Sequence, residues 1–438
     1  MMKSWDSVFL ASLALCLAAC NTETMKVTEL KPIPDAAYAK GVSAPFCGVA
    51  GDVLVVAGGA NFPDKSLLEG GAKRVYADIW AKAPASRKWV HAGVLPDSTA
   101  YGATFAVDGA LILSGGNVCG ETTDKVYELR LRYGKAVLRT LPQLPVPMEQ
   151  CGWTRDGDRL YLVGGVGTTG VYACTIGDYV WSKVADLPEP LVQPVAFASG
   201  GKLYVWGGFN PETLEVSDRG LCLEISPLAS LGRNDKARFD GRNDTPSVIQ
   251  NEAEGSNASV IPSGTESGNT SVIPSGTESG NTSVIPSGTE SGNTSVILSG
   301  AEGGVEESLW RKAPAIPDGG TFVGATGATL PDGRLAVVGG VNRAIFARAL
   351  HNTPEDRIPY LSKEPAEYQF RQAVYAFDPA TETWAQLTSD PACALAGPGV
   401  AVMPAPSASG PAAPSALYVA GGELKPGVRS PKIFTLRW

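Results

Sequence analysis

The chain has 438 residues, a hydrophobic fraction of 44% and a formal net charge of −8, which predicts a soluble globular protein with a sizeable core. Because it contains no run of Lys or Arg, this acidic balance argues against nucleic acid as a partner. Its two histidines, His91 and His351, leave little room for a histidine-based metal site or a Ser-His-Asp triad, so neither a metal nor a cofactor is expected.

The N-terminus has the pattern of an export signal. Lys3 precedes an apolar stretch, Val8 to Ala19, that is too short to span a membrane. The tetrapeptide LAAC, ending at Cys20, resembles a bacterial lipobox and implies cleavage before Cys20 and acylation of that cysteine. We therefore expect a lipoprotein-type signal over residues 1–19 and a periplasmic chain held at the outer membrane only by lipid on Cys20. The alternative is an ordinary signal peptide, with export in either case.

The other cysteines predict no metal or redox site, because none forms a C-x-x-C pair. We expect small buried free thiols, while disulfide pairing in an exported chain stays open. The six residues are Cys47, Cys119, Cys151, Cys174, Cys222 and Cys393.

One structural unit recurs along the chain. An apolar β run ending in Gly-Gly occurs six times, with the second glycine at Gly59, Gly116, Gly165, Gly208, Gly340 and Gly422. A strand marked by an aromatic usually follows, and then an eight-residue segment, often begun by Trp, that ends in Pro: 89–96, 138–145, 181–188, 310–317 and 384–391. This period of about 40–50 residues resembles the kelch motif. It predicts an all-β, six-bladed kelch-type β-propeller over residues 20–438.

The sixth eight-residue segment is found at the start of the chain. VTELKPIP, residues 27–34, has the same length and the same final Pro as the others. We expect it to form the outer strand of the last blade and to pair with the strand that ends at Trp438. That pairing would close the ring and remove its exposed edges.

Residues 230–306 interrupt the regular spacing in blade four. The dodecamer SVIPSGTESGNT starts at Ser259, Ser271 and Ser283, and such a polar repeat buries too little apolar surface to fold alone. We interpret it as a disordered insert in the loop between strands three and four. A β-solenoid of twelve-residue coils is the alternative.

The loops after each Gly-Gly are expected to crowd one face of the ring around its channel. This places Asn61, Asn342, Arg343, Glu423 and Arg429 at the channel. Loops between blades contribute Tyr101 and Gln193. Charged residues are rare in these loops, so Glu423 and Arg429 are the leading candidates for chemistry.

GGELKPGVRS (421–430) resembles the signature of the bacterial N-acetylneuraminate epimerases, which are sialic acid mutarotases of kelch type. GGVNRAIF (339–346), with the long loop that follows it through Tyr360 and Tyr368, is similar to a second stretch of that family, as are FCGVAGDVLVVAGGANF (46–62) and AYGA (100–103). Since the Glu/Arg loop is terminal here, the resemblance implies a cyclically permuted branch.

The resemblance implies interconversion of the α and β anomers of a sugar acid by opening and reclosing its ring. A carboxylate suits the proton transfer, and Glu423 is the implied base. Arg429 is the implied partner, which holds the substrate carboxylate at two points or steadies developing charge. Asn342, Arg343, Tyr101, Asn61 and Gln193 are the expected substrate-binding residues.

The same residues allow other interpretations. A structural Glu–Arg pair that stiffens the loop is one alternative. Sialidase boxes and the histidine ligands of a kelch-type copper oxidase are both missing from the sequence. The main rival is a non-catalytic kelch lipoprotein that binds glycan or protein with this face.

Replacing residues 232–306 by a short Gly/Ser linker should leave melting temperature and activity unchanged, because the repeat is too polar to add to a core. Thermal melting of the purified variant beside the parent tests this. A large fall in Tm, or loss of soluble protein, would mean that the insert packs on the rest of the chain.

Overall fold

The computed structural model describes residues 25–84, 86–225, 310–403 and 415–437. The predicted signal, Cys20, residues 230–306 and Trp438 lie outside these ranges.

Six four-stranded antiparallel sheets form the described part of the chain. In strand order from first to fourth, they are sheet 1 (Phe46–Ala50, Val53–Ala57, Asp78–Lys82, Val90–Val94), sheet 2 (Ala103–Val107, Ala110–Ser114, Val126–Arg132, Lys135–Thr140), sheet 3 (Gly152–Asp156, Arg159–Val163, Gly170–Thr175, Ser182–Asp186), sheet 4 (Val192–Ser199, Lys202–Phe209, Gly220–Glu224, Arg311–Ala313), sheet 5 (Ala325–Thr329, Leu335–Gly339, Ala373–Asp378, Thr383–Ser389) and sheet 6 (Gly399–Met403, Ala416–Ala420, Ile433–Arg437, Lys26–Leu30).

Each of the six Gly-Gly pairs of the repeat lies at the end of the second strand of a sheet, as the repeat predicts. At Gly421 the backbone has a φ of 66°, and a Cβ there would lie 2.2 Å from the carbonyl oxygen of Val42. Only glycine fits under that carbonyl, because any side chain would collide with it. The all-β class is therefore confirmed, and its Gly-Gly signal marks close passage of one segment under another.

Tryptophans that begin outer strands reach the preceding sheet. Trp384 of sheet 5 packs on Trp206 of sheet 4, with ring centroids 5.0 Å apart. Trp89 donates from Nε1 to the carbonyl of Lys31, just after the sheet 6 strand, and Trp310 donates to the carbonyl of Asp186 in sheet 3. Each large ring thus fills the gap between two sheets and buries apolar area in both.

The chain start pairs with the chain end. Lys26–Leu30 lies antiparallel to Ile433–Arg437, with Lys26 opposite Arg437 and Leu30 opposite Ile433. The insert position also agrees with the strand order, since the third and fourth strands of sheet 4 flank residues 226–309 and pair with each other.

A cluster of charged and polar side chains joins sheets 4 and 5. Glu382, in the turn between the last two strands of sheet 5, accepts hydrogen bonds from Lys202, Tyr204 and Arg311 of sheet 4. Hydrogen bonds from Arg311, Lys202 and Tyr204 lower the pKa of Glu382 to about 2. The carboxylate is therefore ionised throughout the neutral range and supports the joint there.

Three small sheets, two helices and four 3-10 turns complete the described structure. The small sheets are Thr99–Ala100 with Asn117–Val118 and Glu121–Thr122, Ala60–Asn61 with Arg74–Val75, and Glu423–Lys425 with Val428–Arg429. Helix α1 (Arg343–Leu350) and helix α2 (Pro354–Ser362) are followed by the 3-10 turn Pro365–Tyr368; other 3-10 turns are Ala36–Tyr38, Pro317–Gly319 and Pro391–Cys393. The stretch expected to be a long loop thus contains helices. Within the described ranges, no helix is long and apolar enough to cross a bilayer.

The first strands of the six sheets meet in cyclic order. Each contacts the first strand of the sheet before and after it, and sheet 6 contacts sheet 1. At the start of each of these strands one residue has a left-handed φ between 50° and 72°: Ala44, Tyr101, Gln150, Gln193, Gly324 and Gly397.

Backbone hydrogen bonds link these six residues, here called the inner ring. The N–H of Tyr101 donates to Ala44 at 3.0 Å, that of Gln150 to Tyr101 at 3.0 Å, and that of Gln193 to Gln150 at 2.8 Å. Gly397 donates to Gly324 at 2.7 Å, and Ala44 donates to Gly397 at 2.8 Å, across the junction of sheets 6 and 1. Ala44, Tyr101, Gln150 and Gly397 each use one N–H and one carbonyl in these five bonds, while Gln193 contributes only its N–H and Gly324 only its carbonyl.

Removing residues 26–34 should lower Tm by more than roughly 10 °C, because the third strand of sheet 6 would lose its partner and expose an edge. Differential scanning calorimetry measures this. Replacement of residues 232–306 is the control, since it removes far more chain but no strand of the six sheets. A truncated protein that melts like the parent would contradict a structural role for this pairing.

Candidate active site

A cavity of about 120 Å³ opens at the inner ring. All six inner-ring residues line it, together with Glu423. Its floor is apolar and includes Cys47, Cys151, Trp153 and Val400. The cavity lining therefore combines a few polar side chains with an apolar surface, which is the usual composition of a small-molecule site.

Large polar side chains occupy only one arc of the inner ring. Tyr101, Gln150 and Gln193 lie next to each other, while Ala44, Gly324 and Gly397 leave the other side open. A left-handed backbone costs a residue other than glycine roughly 1–2 kcal/mol. The chain bears this cost at four successive ring positions, Ala44, Tyr101, Gln150 and Gln193, and the last three carry large polar side chains.

Glu423 reaches the cavity from a short hairpin, Glu423–Lys425 with Val428–Arg429. Its backbone exchanges two hydrogen bonds with Ala396, at 2.6 and 2.9 Å, and Ala396 directly precedes Gly397 of the inner ring. The hairpin therefore fixes the Glu423 backbone against the ring.

The Glu423 carboxylate is anchored through one oxygen. Oε1 accepts from Nη1 of Arg429 and from the N–H of Gly427 at 3.1 Å. Among the described residues, Oε2 receives no hydrogen bond, and the side chain keeps 27% exposure. One oxygen of this cavity-lining residue is thus held in place, while the other keeps its capacity to accept a proton.

Arg429 is buried beneath Glu423, with only 3% of its side chain exposed. Its Nε donates to the carbonyl of Ala60 at 3.2 Å, and its guanidinium lies 5.4 Å from the ring centre of Phe62. Arg429 therefore ties the hairpin to the segment after the second strand of sheet 1 and fixes the carboxylate of Glu423. The two-point grip on a ligand that the sequence suggested is not the arrangement of the side chain here.

Asn61, Asn342 and Arg343 do not line this cavity. Asn61 is fully buried; its Nδ2 donates to Ala37 and Gly41, and its Oδ1 accepts from the Tyr76 hydroxyl. The Oδ1 of Asn342 caps helix α1 by accepting from Ile345.

Arg343 faces a separate, larger cleft of about 1200 Å³. There it pairs with Asp218 at 2.7 Å and donates from Nε to Val216. Of the seven expected site residues, the structure brings Tyr101, Gln193 and Glu423 together, with Arg429 beneath them.

Helix α2 lies close to the Glu423 hairpin. Lys425 donates from Nζ to the carbonyls of Leu361 and Lys363, at 3.3 and 2.6 Å, which suits a cation at a helix C-terminus. Burial raises the pKa of Tyr360 to about 12, and the charges of Tyr368 and Glu423 act in the same direction. The charge of Glu423 therefore contributes, after burial and Tyr368, to the raised pKa of Tyr360.

Gln150 is the site residue that the sequence did not reveal. It occupies the same ring position as Tyr101 and Gln193. The only signal was positional: it lies two residues before the first strand of sheet 3.

The described cysteines are all free, and five of the six are buried, with Cys119 exposed. Burial raises the pKa of the Cys47 and Cys151 thiols to about 12, so they form an inert part of the cavity floor. No group of His, Cys, Asp and Glu suited to a metal ion occurs in the described ranges.

Fold and site together define an all-β protein with an anchored carboxylate at a central cavity. No protein-family model matches the chain. Several curated relatives are named N-acetylneuraminate epimerase. The relative from Vibrio vulnificus (strain YJ016) is 33% identical over 130 residues, which covers 25% of this chain and 33% of the relative.

The relative from Brucella suis (strain ATCC 23445 / NCTC 10510) is 37% identical over 98 residues, 21% of this chain and 25% of its own length. The chain thus spans a third or less of either relative. The solved structure of YjhT aligns with a TM-score of 0.42 and 19% identity over 68% of this chain and 65% of that one. The chain is related to the N-acetylneuraminate epimerase family.

Asn61→Ala should destabilise the protein by about 1–3 kcal/mol, because it leaves buried hydrogen-bonding groups without partners. Its effect on sugar affinity should stay within twofold. Denaturant unfolding and a binding titration measure the two effects, with Tyr76→Phe as a milder control that removes one of the same bonds. A variant of normal stability that no longer binds sugar would make Asn61 a ligand-binding residue instead.

Proposed function

We propose that the chain is a closed six-bladed β-propeller of kelch type from a cyclically permuted branch of the epimerase family. The cyclic contacts of the first strands and the pairing of Lys26–Leu30 with Ile433–Arg437 support this proposal. A ring tolerates permutation, because only the position of the chain break changes.

We propose further that the protein is a mutarotase that interconverts the α and β anomers of N-acetylneuraminate. The carrying observation is the Glu423 carboxylate, which has Oε1 fixed and Oε2 free at the cavity. The names of the relatives supply the substrate class.

The reaction is a pair of proton transfers around one C–O bond. Glu423 Oε2 removes the proton from the anomeric hydroxyl, whose oxygen becomes the ketone as the bond from the anomeric carbon to the ring oxygen breaks. The released electron pair stays on the ring oxygen, which takes a proton from solvent. Rotation about the bond to the anomeric carbon and the reverse sequence give the other anomer and restore the ionised Glu423.

Arg429 acts through Glu423 in this scheme. Its buried guanidinium holds Oε1 from below, so that Oε2 keeps one direction through each cycle. Such fixed geometry places the base within reach of the proton without reorganisation. Arg429 is therefore a positioning residue.

We also propose that the chain is exported and anchored by lipid on Cys20, facing the periplasm from the outer membrane. The apolar stretch and the LAAC tetrapeptide support this proposal.

Glu423→Gln should reduce catalysed anomer exchange to the spontaneous background while sugar affinity stays within about tenfold, because an amide keeps the shape but cannot take the proton. Two-dimensional NMR exchange of N-acetylneuraminate measures the rate, with spontaneous mutarotation subtracted. Arg429→Lys should lower the rate by less, since an ammonium keeps the charge and loses the rigid planar contact.

Glu212→Gln, at an exposed carboxylate on another loop, is the matched control and should exchange at the parent rate. Parent-like exchange by Glu423→Gln would remove Glu423 as the base. Background exchange by the parent protein together with sugar binding would favour the non-catalytic binding module.

A further inference from the structure

Two neighbouring glutamines of the inner ring form an amide pair at the cavity. The Nε2 of Gln193 donates to Oε1 of Gln150 at 2.6 Å, and both half-buried side chains line the cavity. Neither side chain has another hydrogen bond to a described residue. The contact between the two amides therefore uses only one N–H donor and one carbonyl acceptor.

The remaining groups of the pair are complementary to a secondary amide. Gln150 keeps its amide N–H donors, and Gln193 keeps a carbonyl acceptor. If both amides were rotated by 180°, the same two free functions would only exchange places. Either arrangement offers a donor for a ligand carbonyl and an acceptor for a ligand N–H.

Backbone strain supports a role for these side chains beyond the fold. Gln150 and Gln193 have φ of 54° and 58°, a strain shared by Ala44 and Tyr101, whereas Gly324 and Gly397 occupy equivalent ring positions without it. The ring hydrogen bonds are made by backbone atoms and need no side chain. Strain held at a cavity in this way points to a functional demand.

An apolar surface lies beside the amide pair. Cys151, Trp153 and Pro194 line the same cavity, and Trp153 offers a broad face for a methyl group. A polar amide clamp next to an apolar wall matches an acylamino substituent, which has an N–H, a carbonyl and a methyl.

We propose that Gln150 and Gln193 form the subsite that recognises the N-acyl group of the substrate, so that the protein prefers N-acylated sugar acids to their hydroxyl counterparts. This specificity rests on the proposed function for the identity of the sugar. Gln150 and Gln193 bind the acylamino group, while Glu423 performs the proton transfer.

The test compares two ligands on three proteins: the parent, a double variant and a control variant. The ligands are N-acetylneuraminate and the keto acid of the same skeleton with a hydroxyl in place of the acetamido group. The variant is Gln150→Gly with Gln193→Gly, which retains the left-handed backbone; Gln143→Gly, at an exposed glutamine, is the control. Calorimetric titration gives each dissociation constant, and NMR exchange gives each anomerisation rate.

The parent and the Gln143→Gly control should bind the N-acetyl acid at least tenfold more tightly than the hydroxyl acid, since a site built for an amide is left unpaired by the analogue. In the double variant this ratio should fall below about threefold while Tm stays close to that of the parent.

Equal affinity of the parent for both acids, or a preference retained by the double variant, would overturn the subsite. If the parent catalyses exchange but shows no preference, the subsite fails and the proposed function stands. If the parent shows the preference but no catalysed exchange, the function fails and the subsite stands. Failure to bind either acid would overturn both.

Discussion

The inner ring of backbone hydrogen bonds is the constraint on which the site depends. Six residues with left-handed φ stand at the starts of the six first strands, and five backbone bonds connect them in cyclic order. Such bonds are local to neighbouring sheets, yet together they set how close the first strands approach. The cavity is the space enclosed by that ring, so the number and spacing of the sheets determine its width.

The Glu423 hairpin is attached to this ring at two places. Its backbone pairs with Ala396, next to Gly397 of the ring, and Arg429 beneath it donates to Ala60, just after the second strand of sheet 1. A buried guanidinium is costly unless its hydrogen bonds are made. The position of Glu423, near the end of the chain, is thus determined by contacts with both sheet 6 and sheet 1.

Much of this fold could be predicted from the sequence, because the Gly-Gly pairs and the tryptophans have strong steric causes. A glycine under a carbonyl and a Trp between two sheets tolerate little substitution; the Gly-Gly pair recurs in all six repeats and the Trp in four of them. The Glu423 hairpin was identified because charged residues are rare in the loops after Gly-Gly.

The rest could not be predicted, because loops at equivalent positions project differently. Asn61 turns into the core and Arg343 toward a separate cleft, although both follow a Gly-Gly pair. Gln150 was missed because the ring position is defined by backbone conformation, and its occupants share no residue type. Asn342 supplies an N-cap for helix α1, but the repeat predicts only a loop between the second and third strands of a sheet, so the helix is not expected.

A crystal structure of the complex with N-acetylneuraminate tests the central claim most directly. We expect the sugar to bind against Tyr101, Gln150 and Gln193, with its anomeric hydroxyl within about 3.2 Å of Glu423 Oε2. A sugar bound instead in the cleft with Arg343 and Asp218, with the inner-ring cavity occupied only by solvent, would contradict it.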